Sequence, residues 1–330
     1  MRSLALIFST FASLVLSETW HRLPDVPISP RQEHATVLLP PGDIVLVGGV
    51  TNGTQSTTSL VQSYSITRRK WTSLPPLPVP LNHPNAAVLS GQLYVFGGLA
   101  QKNTSWTAIP NSYRYDAKTR SWRRIADVPD GGVGSAAVGV WDGKVILAGG
   151  LKEIQLVSPY TQSTISSVYI YDSLTNAYLA LPAAAAQLPD TRDHACGAVI
   201  EHRFYVLGGR ERGQLTGKSS VPVLDLNDLN KGWSVAEGIM PSPRAGLACG
   251  IVGKKVYTFG GEGNLKVESG VWNSTEVYDV AQDSWQNTLV GMKVPRHGGG
   301  AVAFNGKIYV PGGGDVIGIS PTSYFDVFVT

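Results

Sequence analysis

The chain has 330 residues, of which 15% are charged, with a formal net charge of +3, 37 glycines and 21 prolines. That length exceeds one simple domain unless the chain is built from repeats or a barrel. Sparse charge with many turn formers suits short strands joined by tight turns. No run of lysine and arginine exceeds three residues, so the basic stripe of a nucleic-acid-binding surface is missing.

Residues 1–17, MRSLALIFSTFASLVLS, have the layout of a secretory signal peptide. Arg2 supplies the positive start, Leu4 to Leu16 the apolar stretch, and Val15 with Ser17 the small-residue pattern before cleavage at Glu18. The stretch is too short for an ordinary membrane span. Residues 18–330 are therefore expected to be a secreted mature protein without a membrane span. Sequons at Asn52, Asn103 and Asn273 lie in loop-like segments and are expected to carry glycans. The two cysteines, Cys196 and Cys249, sit among small residues in HACGAV and LACGIV. Inert packing is the expectation for both, with a Cys196–Cys249 disulfide as the alternative.

From Thr19 the segment TWHRLP, with Trp20, reads as a last strand that has no preceding partners. Six hydrophobic runs follow, each ending in a glycine pair: 48–49, 97–98, 149–150, 208–209, 260–261 and 312–313. Successive pairs are 49, 52, 59, 52 and 52 residues apart, a repeat period near fifty. Each repeat runs from a small-residue segment through a turn to the glycine-ending strand, then a variable loop, an aromatic-bearing strand and a strand opening on tryptophan. The aromatics recur seven residues apart as Tyr64/Trp71, Tyr115/Trp122, Tyr171/Tyr178 and Tyr278/Trp285, and Trp233 follows Leu224 at a longer spacing. Rings of this kind suit the core between stacked sheets, with a polar handle left for one partner. The C-terminal SYFDVFVT supplies a third strand with no tryptophan strand after it.

These glycine pairs and slotted tryptophans resemble the kelch-repeat family over nearly all of residues 18–330. The resemblance implies an all-β, six-bladed propeller of four-stranded blades, with the N-terminal strand completing the C-terminal blade. A meander of this type puts the second-to-third-strand loops and the interblade connections on one face, where long loops concentrate function. The longest such loop is expected after Gly150, in LKEIQLVSPYTQSTIS.

The interblade connections on that face hold the unusual polar residues. They bring Arg31, Glu33 and His34 from PRQEHA, His83 from LNHPN, Arg192, Asp193 and His194 from PDTRDHAC, Arg244 from PSPRAG, and Arg296 with His297 from VPRHGGG. Four of the six histidines thus belong to one channel mouth. His34, Glu33 and His297 are the candidate catalytic groups, since histidine and glutamate move protons without a cofactor. Arg31, His83, Arg192, Asp193, His194, Arg244 and Arg296 are the candidate ligand-binding groups. No metal-ligand spacing, nucleophile elbow or phosphate loop occurs, so no metal or other cofactor is expected. Trp106 and Trp272 stand outside the repeat slots beside two of the sequons.

The expected function is binding or conversion of a small molecule by a monomer. Stand-alone kelch-like proteins of filamentous fungi are similar, and that resemblance implies an accessory isomerase- or cyclase-like step in secondary-metabolite biosynthesis. A non-catalytic extracellular module for a protein or glycan partner is the alternative, because a fold does not fix a function.

Overall fold

Each repeat folds into one antiparallel four-stranded sheet in the computed structural model, which describes residues 18–51, 56–286 and 290–330. The proposed leader, residues 1–17, and the sequon asparagine Asn52 lie outside the described residues. The first blade shows the pattern, with strands Ala35–Leu39, Asp43–Val47, Val61–Ser65 and Lys70–Leu74 hydrogen-bonded in sequence order. Among the described residues five blades are separate four-stranded sheets, the third blade is part of a six-stranded sheet, a further sheet has three short strands, and the one helical segment is the short turn Leu229–Lys231.

The ring closes as the two chain ends imply. Thr19–Arg22 pairs antiparallel with Phe325–Val329, so the first strand becomes the outer strand of the last blade. Trp20 then packs edge-on against Phe259 and at a tilt against Phe328, each with ring centroids 5.1 Å away, and its indole N–H donates to the Val290 carbonyl at 2.9 Å. The other slotted tryptophans use the same handle. Trp71, Trp122, Trp233 and Trp285 donate to the carbonyls of Pro24, Pro75, Ala185 and Gly238. Each bond ties an outer strand to the connection that precedes its blade. The sevenfold spacing is a cross-strand register: Tyr64 faces Trp71, Tyr115 faces Trp122, Tyr171 faces Tyr178 and Tyr278 faces Trp285. Apolar clusters fill all six seams between neighbouring blades, including the seam between last and first, where Ile44, Leu46 and Tyr64 meet Tyr309, Phe325 and Val327.

The glycine pairs are docking points between blades. The N–H groups of Gly49, Gly98, Gly150, Gly209, Gly261 and Gly313 donate to the carbonyls of Leu81, Val133, Arg192, Arg244, Arg296 and Arg31 in the following blade, at 2.7–3.0 Å. Glycine is required beside that bond, as the first residue of the fifth pair shows. Gly260 has φ of 61°, and a Cβ there would lie 1.9 Å from the Arg296 carbonyl oxygen.

Two expectations change. The segment after Gly150 is not a loop: Lys144–Gln155 and Gln162–Asp172 continue as one long hairpin beyond the blade. A second hairpin, Leu99–Lys102 with Ser105–Ala108, adds to its edge through Trp106 paired with Ile154. Alternating apolar and β-branched residues sustain the pairing there. The cysteines are not free packing residues. Cys196 and Cys249 lie on the inner strands of the fourth and fifth blades with Cα atoms 6.2 Å apart, and they form a disulfide. Inner strands of neighbouring blades converge toward the channel, which brings the two within bridging distance.

Because Trp20 on the closing strand carries packing and a hydrogen bond at the seam between the fifth and sixth blades, Trp20→Ala should lower stability by about 3 kcal/mol. Urea unfolding followed by tryptophan fluorescence measures this, and an outer-strand position such as Lys70→Ala should change it by less than about 0.5 kcal/mol.

Candidate functional site

A second ring of backbone bonds narrows the channel. Glu33, His83, Ser135, His194, Gly246 and Gly298 occupy the same place in the six interblade connections, all with φ between 49° and 63°. The N–H of each donates to the carbonyl of its counterpart in the preceding blade. His83 donates to Glu33 at 2.8 Å, Ser135 to His83 at 2.9 Å, His194 to Ser135 at 3.2 Å, Gly246 to His194 at 3.0 Å and Gly298 to Gly246 at 2.8 Å; Glu33 to Gly298 closes the circle. A left-handed backbone costs a non-glycine residue about 1–2 kcal/mol. Four of the six positions nevertheless carry side chains, and three of those side chains meet.

Those three are Glu33, His83 and His194, all buried. The His83 and His194 Nε2 atoms are 2.9 Å apart, and Glu33 Oε2 lies 3.1 Å from the first and 3.6 Å from the second. The opposite ring nitrogens are held from behind: His83 Nδ1 by Asn82 Oδ1 at 2.6 Å, and His194 Nδ1 by Asp193 Oδ1 at 2.6 Å. Thr164 Oγ1 donates to the other oxygen of Asp193 at 2.5 Å. Gly298 leaves the space that Glu33 fills, since a Cβ there would stand 2.2 Å from Glu33 Oε1.

Electrostatics tie the three into one unit. Burial raises the proton affinity of the Glu33 carboxyl, but the charges and hydrogen bonds of His83 and His194 outweigh it and hold Glu33 well below the usual carboxylate range. For His83 burial wins over the Glu33 charge and the imidazole is lowered. For His194 burial and Arg210 oppose protonation, yet the hydrogen bonds to Asp193 and Glu33 prevail and the imidazole is raised. The two imidazoles, pushed in opposite directions, therefore sit against a carboxylate held in its ionised form.

Cavities meet this centre from two sides. One of about 390 Å³ lies within the channel among the inner strands, lined also by His34 and Thr36. The other, about 430 Å³, opens on the loop face between Trp106, Tyr160, Gln162, Arg212 and Gln214.

The other sequence candidates lie elsewhere. Arg31, Arg192, Arg244 and Arg296 are buried and line neither of these two cavities. Arg31 donates to the Gly48 and Leu60 carbonyls and to Gln62, and Arg192 to the Gly208 and Ser220 carbonyls and to Asp190. Arg244 holds Ser274, Thr258 and Glu276, while Arg296 holds Asp326 and the Val310 carbonyl. Each guanidinium thus ties together strands of its own blade, and burial lowers Arg31 and Arg244 to about 10. His34 turns into the channel, with Nδ1 3.1 Å from Thr36 Oγ1, and burial next to Arg31 pushes it down to about 3. His297 bonds the Val316 carbonyl through Nε2 at 2.9 Å and stands 3.6 Å from Glu262. Of the two loop tryptophans, Trp106 is buried with Leu99, Leu151 and Ile154, and its N–H donates to Gln101 at 2.7 Å. Asn103 and Asn273 are exposed.

Two contributors escaped the sequence reading. Arg210 bridges Asp193 at 3.1 Å and Glu262, and it approaches His194 Nε2 at 3.4 Å. Both Arg210 and Glu262 directly follow a glycine pair, where other blades carry Val50, Leu99, Leu151 and Gly314. Comparing that one column across the repeats exposes them.

Comparison with known proteins agrees with this architecture. Residues 9–209 and 135–328 match the KLHDC2/KLHL20/DRC7 Kelch-repeats domain. The chain is 36% identical to Kelch-like protein terF of Aspergillus terreus over 94% of its own length and 67% of that protein. It is 31% identical to the N-acetylneuraminate epimerase of Shigella sonnei over 26% of this chain and 24% of the relative. The solved structure of YjhT superposes with a TM-score of 0.71 at 17% identity, covering 93% of this chain and 95% of that one.

Ser135 isolates the backbone cost of the ring, because it shares the left-handed geometry without joining the three-residue centre. Ser135→Gly should stabilise the protein by up to about 1 kcal/mol, and Ser135→Val should destabilise it by about 1–2 kcal/mol. Denaturation midpoints of the two variants give the comparison.

Proposed function

The chain belongs to the kelch-repeat family, and from that premise we propose that it binds and converts a small polar molecule in the loop-face pocket. The observation that carries this reading is the convergence of Glu33, His83 and His194 at the floor of that pocket. A buried cluster of two imidazoles and a carboxylate is costly to assemble. It rests here on backbone held in a disfavoured conformation, a combination that clusters at reactive sites.

The chemistry follows from what the floor and rim offer. The two imidazoles face this cavity and can offer a positive centre to a ligand oxygen. Negative charge developing on a carbonyl or carboxylate oxygen would be stabilised there without rearrangement of the protein. Exposed Arg212 at the rim supplies a fixed cation for an anionic or hydroxyl-rich ligand. Trp106 closes one wall, its ring centroid 5.8 Å from that of His83. Such a centre suits a non-redox step in which a bond or stereocentre is rearranged through an enolate-like species. Relatives named N-acetylneuraminate epimerase, matched over about a quarter of this chain, support that class.

The same reading includes secretion after loss of residues 1–17 and a place as an accessory isomerase- or cyclase-like step of secondary metabolism. The Cys196–Cys249 disulfide supports an oxidising compartment, and the exposure of Asn103 and Asn273 is compatible with glycans at both. The pocket floor, made by three blades, is complete within one chain, so no second copy is needed.

Deletion of the gene in the producing organism, followed by metabolite profiling, tests the proposal. Loss of a product with build-up of its precursor is expected, restored by the wild type but reduced about 100-fold in rate with Glu33→Gln. An unchanged profile, or full restoration by Glu33→Gln, would remove the small-molecule reading.

A further inference from the structure

We propose that Glu33, His83 and His194 form a binding site for one divalent transition-metal ion. The idea deepens the preceding reading by naming the cation at the pocket floor. It rests on that reading for the ion's purpose and not for its binding.

The tautomers carry the first part of the argument. Asp193 is an acceptor toward His194 Nδ1, and its other oxygen already takes the Thr164 hydroxyl. Asn82 also presents its oxygen to His83 Nδ1 at 2.6 Å, and its amide nitrogen donates to Thr57 Oγ1 at 2.6 Å. With Nδ1 of each ring held as the donor, each imidazole in its neutral form presents its Nε2 lone pair. These lone pairs face one another at 2.9 Å with the Glu33 carboxylate alongside. Arg210 reaches His194 Nε2 at 3.4 Å, and the point on which the three acceptors converge is left for a second cation.

Three-way convergence and charge then favour a metal over a lone proton, and the distances fit one. Atoms bound to one ion at about 2.1 Å, and subtending about 90–120°, lie about 3.0–3.6 Å apart. The three observed separations are 2.9, 3.1 and 3.6 Å. A proton bridges two atoms, whereas this cluster brings three within 4.8 Å of one another. Around them the buried carboxylates of Glu33, Asp193 and Glu262 face a single guanidinium, Arg210, within one contact network. A divalent ion with two neutral imidazoles brings that network to neutrality.

The donor set selects the class of ion. Two imidazoles and one carboxylate suit zinc, iron(II) or a neighbouring first-row ion and do not suit calcium or magnesium, which take oxygen ligands. Asn82 and Asp193 behind the rings are the outer partners that orient ligating histidines. Three protein ligands leave at least one position open, and the 430 Å³ pocket provides both the approach route and the space for a ligand oxygen.

Titration of the full mature chain with zinc chloride, after chelator treatment and dialysis, tests this by calorimetry. Cobalt chloride with visible absorption provides an independent signal. One ion per chain is expected. His83→Ala and His194→Ala should each weaken binding by more than about 100-fold, and Asn82→Ala by about 10–100-fold, while His202→Ala on the outer surface leaves it unchanged. Absence of stoichiometric binding to the wild type overturns the proposal whether or not the variants fold. So does unchanged affinity in folded His83→Ala and His194→Ala. Binding without a metabolic phenotype would keep the metal site and discard the small-molecule reading, and a phenotype without binding would do the reverse.

Discussion

Twelve backbone hydrogen bonds that pass from blade to blade hold the geometry on which everything else depends. Six run from the second glycine of each pair to the next blade, and six link the residues around the channel axis. Sheets packed only through apolar faces can slide against one another, because burial is non-directional. Directional bonds at a fixed position in each repeat remove that freedom. They also satisfy buried main-chain groups at the channel, which would otherwise be left unpaired.

The inner ring turns a structural requirement into a site. Every ring residue must adopt a left-handed backbone, so glycine would be the least costly choice at all six positions. Gly246 and Gly298 follow that rule, and Glu33, His83, Ser135 and His194 depart from it. The departures concentrate where side chains meet, while Gly298 clears the space taken by Glu33. Asymmetry in the residues after the glycine pairs reinforces this. Val50, Leu99 and Leu151 fill one part of the loop face with apolar bulk, and Arg210 and Glu262 charge the other part. One part of a nearly symmetric ring thereby becomes packing and another becomes chemistry.

What the sequence revealed follows from which features repeat along it. Glycine pairs, tyrosine–tryptophan spacing and the orphan strands at both ends are local and periodic, so sheet order, cross-strand register and ring closure could all be read. The grouping of Glu33, His83 and His194 could not, because their proximity exists only after three blades close around an axis, with 111 residues between the two histidines. The four repeat arginines misled for a related reason. Their charge marked them as ligand anchors, yet each guanidinium satisfies carbonyls and side chains inside its own blade. The segment after Gly150 was misjudged because its polar residues resemble loop composition, while their alternation continues a strand.

The central claim is that His83 and His194 point their Nε2 lone pairs at one shared cation because Asn82 and Asp193 hold the opposite nitrogens. Nitrogen-15 NMR of the histidine side chains measures this directly. The account predicts protonated Nδ1 on both rings, with the two Nε2 resonances moving together when zinc is added. An Nε2–H tautomer on either neutral ring, or two rings that respond independently, would contradict it.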